Sequence, residues 1–268
     1  MIVSKMQGGL RLTGIQKQSG GDNPLVSVIT VVYNGAKHVE QTIKSVLNQS
    51  YKNVEYIIID GGSTDGTLDI IKRFEDKIDY WQSERDSGIY FAMNKGISLA
   101  KGELIGILNA DDFYLPDTIE KIIAADKITH ADIYHGDMQY ITENAHKLSV
   151  AKPDITKMNE MPAIFHPTCF VRKSVYDKAG VFDTQYKISA DYDFLLRCLK
   201  KNLSFHYIPE ALTCFRLGGM SGSCASNIEG YKIMKFHQTG HHKKIILRTI
   251  KCYVKTFIKK IIHLKRSK

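Results

Sequence analysis

Three short apolar runs constrain this chain most: "LVSVITVVY" (25–33), "VEYIIID" (54–60) and "LIGIL" (104–108). Each reads as a buried strand, rich in Val and Ile. Between them the period changes. "AKHVEQTIKSVLNQ" (36–49) places Val39, Ile43, Val46 and Leu47 at helical spacing, and "STDGTLDIIKRFED" (63–76) opens on a Ser/Thr/Asp cap cluster and continues as a helix. A short strand is expected around 78–81, a helix over 88–100, and another helix after Pro116, a residue suited to a first turn. Strand and helix alternating at this spacing predict an α/β fold, with a mixed, mainly parallel sheet flanked by helices on both faces. Ligands of such sheets bind beyond the carboxyl ends of the strands. The residues just past those ends, "YNGA", "IDGGSTDGT" and "NADD", therefore become candidates for function.

The second half is less regular. "ADIYHGDMQYI" and "HKLSVAK" read as a strand pair. "AIFHPTCFVRK" reads as a strand that Pro167 confines to an edge or a bulge. A helix is expected over 189–201, and two short strands around Pro209. The expected organisation is a flexible lead-in (1–23), one domain (24–240, with halves 24–126 and 127–240) and a tail (241–268).

Charge is unevenly distributed. Ten of the 37 Lys and Arg lie in 243–268, where there is no Asp or Glu, which leaves 27 basic against 28 acidic residues elsewhere. A neutral body argues against nucleic acid as a partner and gives the tail a partner of its own. Ile246, Ile250, Tyr253, Phe257, Ile261 and Leu264 recur at helical spacing, as do Lys244, Arg248, Lys251, Lys255 and Lys259. This pattern predicts a basic amphipathic helix lying on an anionic membrane surface. A helix packed on the body with a solvated basic face is the competing reading. No run approaches the roughly 20 apolar residues of a membrane span, and the N-terminus has no secretory apolar core. Five cysteines, an odd number without CxxC spacing, suggest free thiols in a reducing compartment.

Asp60 closes an apolar strand ahead of Gly61-Gly62-Ser63-Thr64-Asp65-Gly66. A capped turn explains the glycines and hydroxyls. It does not explain a carboxylate on the strand's last residue, which could accept hydrogen bonds from a ribose or base. In Asn109-Ala110-Asp111-Asp112 two adjacent carboxylates repel, and a hard divalent cation, Mg²⁺ or Mn²⁺, would remove the repulsion; helix capping is the rival account. Asp191 and Asp193 open one helix. Asp191 lies three and four residues before Phe194 and Leu195 and so faces inward, a plausible general base, whereas Asp193 has the spacing of a surface ion pair with Arg197. His166 would be an ordinary core histidine or a site residue. Arg216, heading the Gly-rich "FRLGGMSGS", would contact a phosphate or simply begin a loop. GxxxxGK[ST], HExxH and GxSxG are all absent, which argues against P-loop, zinc-protease and serine-hydrolase chemistry.

Taken together, "PLVSVITVVYNGAKHVEQTIKSVLNQSYKNVEYIIIDGGSTDGT", "SERDSGIYFAMNKGISLAKGE", "LIGILNADDFYLPD", "HPTCFVRKSVYDKAGVFD" and "ISADYDFLLRCL" resemble the family-2 glycosyltransferases of the GT-A fold, over about residues 24–220. The resemblance implies a nucleotide-sugar donor on the first half and a glycan or lipid-linked acceptor on the second. It implies transfer with inversion, a divalent metal, and work at the cytoplasmic face of the membrane on a cell-surface polysaccharide. Asp60 matches the family's nucleotide-contacting Asp, Asp86 another donor-site Asp, and Val31, Tyr33 and Asn34 the base pocket. Asn109-Ala110-Asp111 matches the Asp-X-Asp metal motif with its first Asp replaced, which leaves Asp111, then Asp112, as metal contacts. Asp191 matches the catalytic base, with Ala190 where the family commonly has Glu. Asn109 and Ala190 are also what a non-catalytic nucleotide-sugar binder or scaffold would show.

Overall fold

The computed structural model describes residues 5–219, 223–240, 246–247 and 249–252. In chain order the strands are β1 (Met6–Gly8), β2 (Val26–Val32), β3 (Val54–Asp60), β4 (Tyr80–Ser83), β5 (Leu104–Asn109), β6 (Phe113–Tyr114), β7 (Ile133–Ile141), β8 (Lys147–Ala151), β9 (Phe170–Arg172) and β10 (Phe205–Arg216). The helices are α1 (Val39–Leu47), α2 (Thr67–Lys72), α3 (Ile89–Leu99), α4 (Thr118–Thr129), α5 (Lys173–Ala179), α6 (Ala190–Lys200) and α7 (Cys224–Phe236). Strands from both halves share one sheet, in the order β1-β4-β3-β2-β5-β9-β7-β10-β6, with β8 paired to β7. β4, β3, β2 and β5 run parallel; β9 is antiparallel to both its neighbours, β5 and β7.

The apolar runs are uniform because both faces of the sheet are covered. Ile29, Val31, Ile57, Ile59, Ile105 and Ile107 pack with α3, α5 and α6 on one side. Val28, Val32, Ile58, Leu104 and Leu108 pack with α1 and α4 on the other. Gly96 of α3 marks how close one helix comes, since a Cβ there would lie 2.4 Å from the Ile29 side chain.

Several expectations need correction. Pro167 does not place its segment at an edge. It sits in a single 3₁₀ turn, His166–Thr168, so its missing N–H falls outside the ladder and β9 enters the middle of the sheet. The stretch around Pro209 is one twelve-residue strand, β10, with register shifts between Ile208 and Thr213 that accommodate the proline. The cysteines are not all free. Cys224 in the first turn of α7 is disulfide-bonded to Cys252, while Cys169, Cys198 and Cys214 are buried thiols. The pair is 28 residues apart in sequence, and only the folding back of the 246–252 segment brings it together. The cysteine argument for a reducing compartment falls with it. Among the described residues no helix is long and apolar enough to cross a membrane. Most of the amphipathic tail lies outside the described residues.

From Met6 onward the described part of the lead-in is joined to the sheet. β1 extends the sheet antiparallel to β4, and the following turn brings Arg11 into an ion pair with Glu55, a carboxylate that is only 2% exposed. Glu55 also accepts from Ser27 Oγ and from the Lys101 N–H. Arg11 donates to the Leu99 carbonyl at 3.0 Å and lies over the Tyr80 ring. Removing the guanidinium strands a buried charge. Arg11→Met should therefore cost about 2–3 kcal/mol of stability in urea unfolding, toward the low end for a broken buried pair because Ser27 and Lys101 still solvate the carboxylate. Adding Glu55→Gln should recover most of that loss.

Candidate functional site

The chain leaves β2 toward β3 and β4 on one side and returns to β5 on the other, so the switch point of the sheet lies between β2 and β5. The register aligns the strand ends there: Val32 pairs with Asp60, Asp60 with Ser83, and Val31 with Asn109. Asp60 and Asn109 therefore flank β2, about 10 Å apart at ordinary strand spacing.

Asp60 is 1% exposed. Its carboxylate accepts from Ser63 N at 3.1 Å, from Ser63 Oγ and from Ser83 Oγ at 2.6 Å. A carboxylate offers about four acceptor sites, which leaves room for one more donor. The turn after it is locked to β2's end, because Asn34 N donates to Ser63 Oγ at 2.7 Å and Asn34 Oδ1 accepts from Thr64 N at 2.9 Å. Asn34 adopts a φ of 50°, in the left-handed region that asparagine tolerates. Val31 is buried in the core, whereas neighbouring Tyr33 is 67% exposed. Asp86 joins this group from the loop after β4. A Cβ on Gly61 would fall 2.9 Å from Asp86 Oδ2, so glycine is what permits the approach. Burial raises the Asp86 pKa, the Gly88 N–H opposes that rise, and the charge on Asp60 adds to it.

Beyond β5 the two adjacent aspartates differ. Asp111 is half-buried, and a Cβ on Gly219, in the loop after β10, would lie 3.9 Å from Asp111 Oδ2. Asp112 is 1% exposed; its Oδ1 accepts from the Arg216 N–H at 2.9 Å and its Oδ2 is buried without a hydrogen-bond partner. Burial, reinforced by Asp111, pushes the Asp112 pKa well above the usual carboxylate range. Ala110 is buried, and its carbonyl accepts from Thr42 of α1. Asn109 also keeps a buried Oδ1 with no partner.

Among the described residues no group of three or more His, Cys, Asp or Glu could hold a metal. The all-oxygen pair of a half-exposed Asp111 carboxylate and the unpartnered Asn109 carbonyl still fits Mg²⁺ or Mn²⁺. Such ions take one or two protein oxygens and complete their shell with water and substrate phosphates.

Arg216 does not reach out to a ligand. It is 3% exposed, and its guanidinium donates to the carbonyls of Asp111 (3.1 Å), Thr142 (3.0 Å) and Glu143 and to Gln41 Oε1 (2.9 Å). Its work is to fix the loop that carries Asp111.

The expected Asp193–Arg197 ion pair forms, but the burial of Asp191 and Asp193 is the reverse of the helical-face reading. Asp193 is the buried one, 2% exposed, holding Arg197 Nε at 2.9 Å and His237 Nε2 at 2.7 Å. Asp191 is half-exposed. α7 covers the face of α6 that the sequence pattern left to solvent. Tyr90, in the first turn of α3, shares its hydroxyl proton between the Ile188 carbonyl (2.8 Å) and Asp191 Oδ1 (3.0 Å). Since α3 follows the Asp86 loop directly, Tyr90 joins the Asp86 end of the site to Asp191. His166 is buried edge-on to Phe182, their ring centres 5.4 Å apart. Burial lowers its pKa, against the opposing charge of Asp191. Sequence reasoning missed Tyr90 and Ser83. Each reads as an ordinary core position, and only register and helix docking give either a polar task.

The model of "Glycosyl transferase family 2" matches residues 27–182. This chain belongs to that family. The match takes in β2 to β9 and so the strand ends bearing Asp60 and Asn109. A glycosyltransferase of Methanocaldococcus jannaschii described as uncharacterized is 30% identical over 236 residues, covering 83% of this chain and 81% of that protein. Another, of Rickettsia typhi, is 35% identical over 190 residues, covering 66% of this chain; the chain spans 59% of that relative's length. Among solved structures, S. aureus TarS 1–349 in complex with UDP-GlcNAc is similar at a TM-score of 0.66 and 19% identity, covering 79% of this chain and 65% of that one. Mannosyltransferase PcManGT of Pyrobaculum calidifontis, in complex with GDP-Man and Mn²⁺, is similar at 0.61 and 19% identity, covering 89% and 73%. At these identities the likeness is one of fold, and the fold is that of the GT-A enzymes.

The asymmetry of the aspartates has a measurable consequence. In calorimetry with UDP and GDP, Asp111→Asn should weaken the Mn²⁺-dependent part of binding by about tenfold or more, in the range that metal-shell changes produce. Asp112→Asn, at the inward-turned position, should leave it within about twofold.

Proposed function

We propose that the chain transfers a glycosyl group from a nucleotide-sugar donor to a hydroxyl of a glycan or lipid-linked acceptor, with inversion. Family membership and the GT-A fold support the reaction class. The observation that carries the mechanism is Asp191. It is a half-exposed carboxylate in the first turn of α6, with Oδ1 held by Tyr90 and no hydrogen bond to Oδ2 among the described residues. An acceptor hydroxyl attacks the anomeric carbon and gives its proton to the Asp191 carboxylate. The new C–O bond forms as the bond to the diphosphate oxygen breaks, and the nucleoside diphosphate leaves with the electron pair. Tyr90 holds one oxygen of that carboxylate. Asp60 and Asp86 receive the nucleoside at the ends of β3 and β4, with Val31, Tyr33 and Asn34 beside them. Asp111, backed by Asn109, would hold Mn²⁺ or Mg²⁺, which when bound neutralises charge on the departing diphosphate.

Asp191→Asn should lower turnover of the productive nucleotide sugar by about 10²–10⁴-fold, the usual worth of a general base. Nucleoside diphosphate binding should stay within about threefold. The measurement is nucleoside diphosphate release across a panel that includes UDP-GlcNAc and GDP-mannose, with and without Mn²⁺. Retained turnover by the variant would remove Asp191 from this role. Binding without turnover of any panel member by the wild type would favour the non-catalytic reading that Asn109 and Ala190 raise.

The tail extends the proposal to an anionic membrane surface. Ile246, Leu247 and Ile250 are 43%, 56% and 54% exposed, and the basic residues of 253–268 follow them. A truncation after Cys252 keeps the disulfide. It should lose sedimentation with vesicles containing anionic lipid, while the full chain sediments and is released by salt. Equal sedimentation of both forms would clear the tail of this task.

A further inference from the structure

α6 has no side-chain cap of its own, because Ser189 at its N-cap makes no capping hydrogen bond. The amides leading into the helix are held from α7 instead. The Glu229 carboxylate accepts from the N–H groups of Lys187 (2.8 Å), Ile188 (2.8 Å) and Ser189 (3.0 Å). Three successive backbone donors thus share one carboxylate, which gathers N–H groups that the helix itself leaves without partners. The Ile188–Ser189 peptide group is held from its other side as well: the Ile188 carbonyl accepts from the Tyr90 hydroxyl that also holds Asp191. The turn carrying Asp191 is therefore clamped between α3 and α7.

α7 is itself fixed on α6. His237, just past its end, meets Asp193 at 2.7 Å, and the His237 carbonyl accepts from Lys200. Its first turn is tied to the 246–252 segment by the Cys224–Cys252 disulfide.

We propose that Glu229 is a positioning residue for glycosyl transfer: it holds the 187–189 turn, and through it the Asp191 carboxylate, at the place where the acceptor hydroxyl must be deprotonated. α7, outside the 27–182 segment matched by the family model, then belongs to the transfer site. The proposal rests on the reading of Asp191 as the base.

The test uses the full chain and follows nucleoside diphosphate release from UDP-GlcNAc or GDP-mannose, whichever the wild type turns over. Amide hydrogen exchange at residues 187–189 is measured alongside. E229Q places an NH₂ donor against backbone N–H groups. It should lower kcat by about ten- to a hundredfold, the scale of a 1 Å misplacement, leave donor KM within about twofold, and speed exchange at the three amides. E229D keeps the carboxylate one methylene shorter and should recover part of kcat. In a D191N background E229Q should cost nothing more. A kcat within twofold of wild type, a loss confined to donor KM, or a full further loss in the D191N background would overturn the proposal. Should E229Q fail to fold, E229D carries the same test, with a smaller kcat loss expected and an unchanged kcat overturning it. If D191N is inactive while the Glu229 variants behave as wild type, positioning alone fails. If D191N itself retains turnover, the base assignment fails and Glu229 with it.

Discussion

The pairing of β2 with β3 on one side and β5 on the other is the constraint on which the rest depends. Those ladders set Val32 beside Asp60 and Val31 beside Asn109. Strand side chains alternate, so Asp60, beside Val32, and Asn109, beside Val31, leave the sheet end toward opposite faces, and a slip of one residue in either ladder would reverse that placing. Core packing guards the register. Ile57 and Ile59 pack toward α3 while Tyr56 and Ile58 pack toward α1, so a slip would misplace a full set of buried side chains on both faces. The stability of the sheet and the placing of the site are the same fact.

The two halves of the site are joined by side chains with capacity for several bonds. Arg216 spends its guanidinium on four oxygens and its own N–H on Asp112, which binds the loop after β5 to the end of β10 and to α1. Tyr90 does the corresponding work between α3 and α6 with one hydroxyl. Both are buried, where an unpaired polar group is costly, so each arrangement is strongly specified. The candidate base and the Asp111 loop thus reach the sheet edge through different elements but by the same device.

Much of this was legible in the sequence. The strand at 54–60 is observed with the bounds read from it, and α1, α3 and α6 fall within the stretches read as helices. Those stretches carry strong periodicity and clear punctuation. What failed was whatever depends on partners distant in sequence. Asp193 reads as a surface residue until α7 lays His237 on it. Arg216 heads a glycine-rich loop and looks available until four oxygens are found around it. The Cys224–Cys252 pair has no spacing signature. The lead-in is rich in Gly, Gln and Ser, yet three residues suffice for a strand once β4 offers a free edge and Glu55 needs a cation.

The adjacent aspartates after β5 show how a structure resolves a charge conflict that the sequence can only pose. Two ionised carboxylates side by side would repel, and a metal between them is one remedy. Here the chain also applies another, turning the two in different directions. Asp112 goes inward, where burial and the charge of Asp111 both favour its neutral form, and the Arg216 N–H holds one oxygen. Asp111 stays half-exposed beyond the end of β5. A single outward carboxylate beside a neutral Asn109 is a weak cation site when alone. Ions such as Mg²⁺ draw most of their shell from water or substrate phosphates when the protein offers so few oxygens.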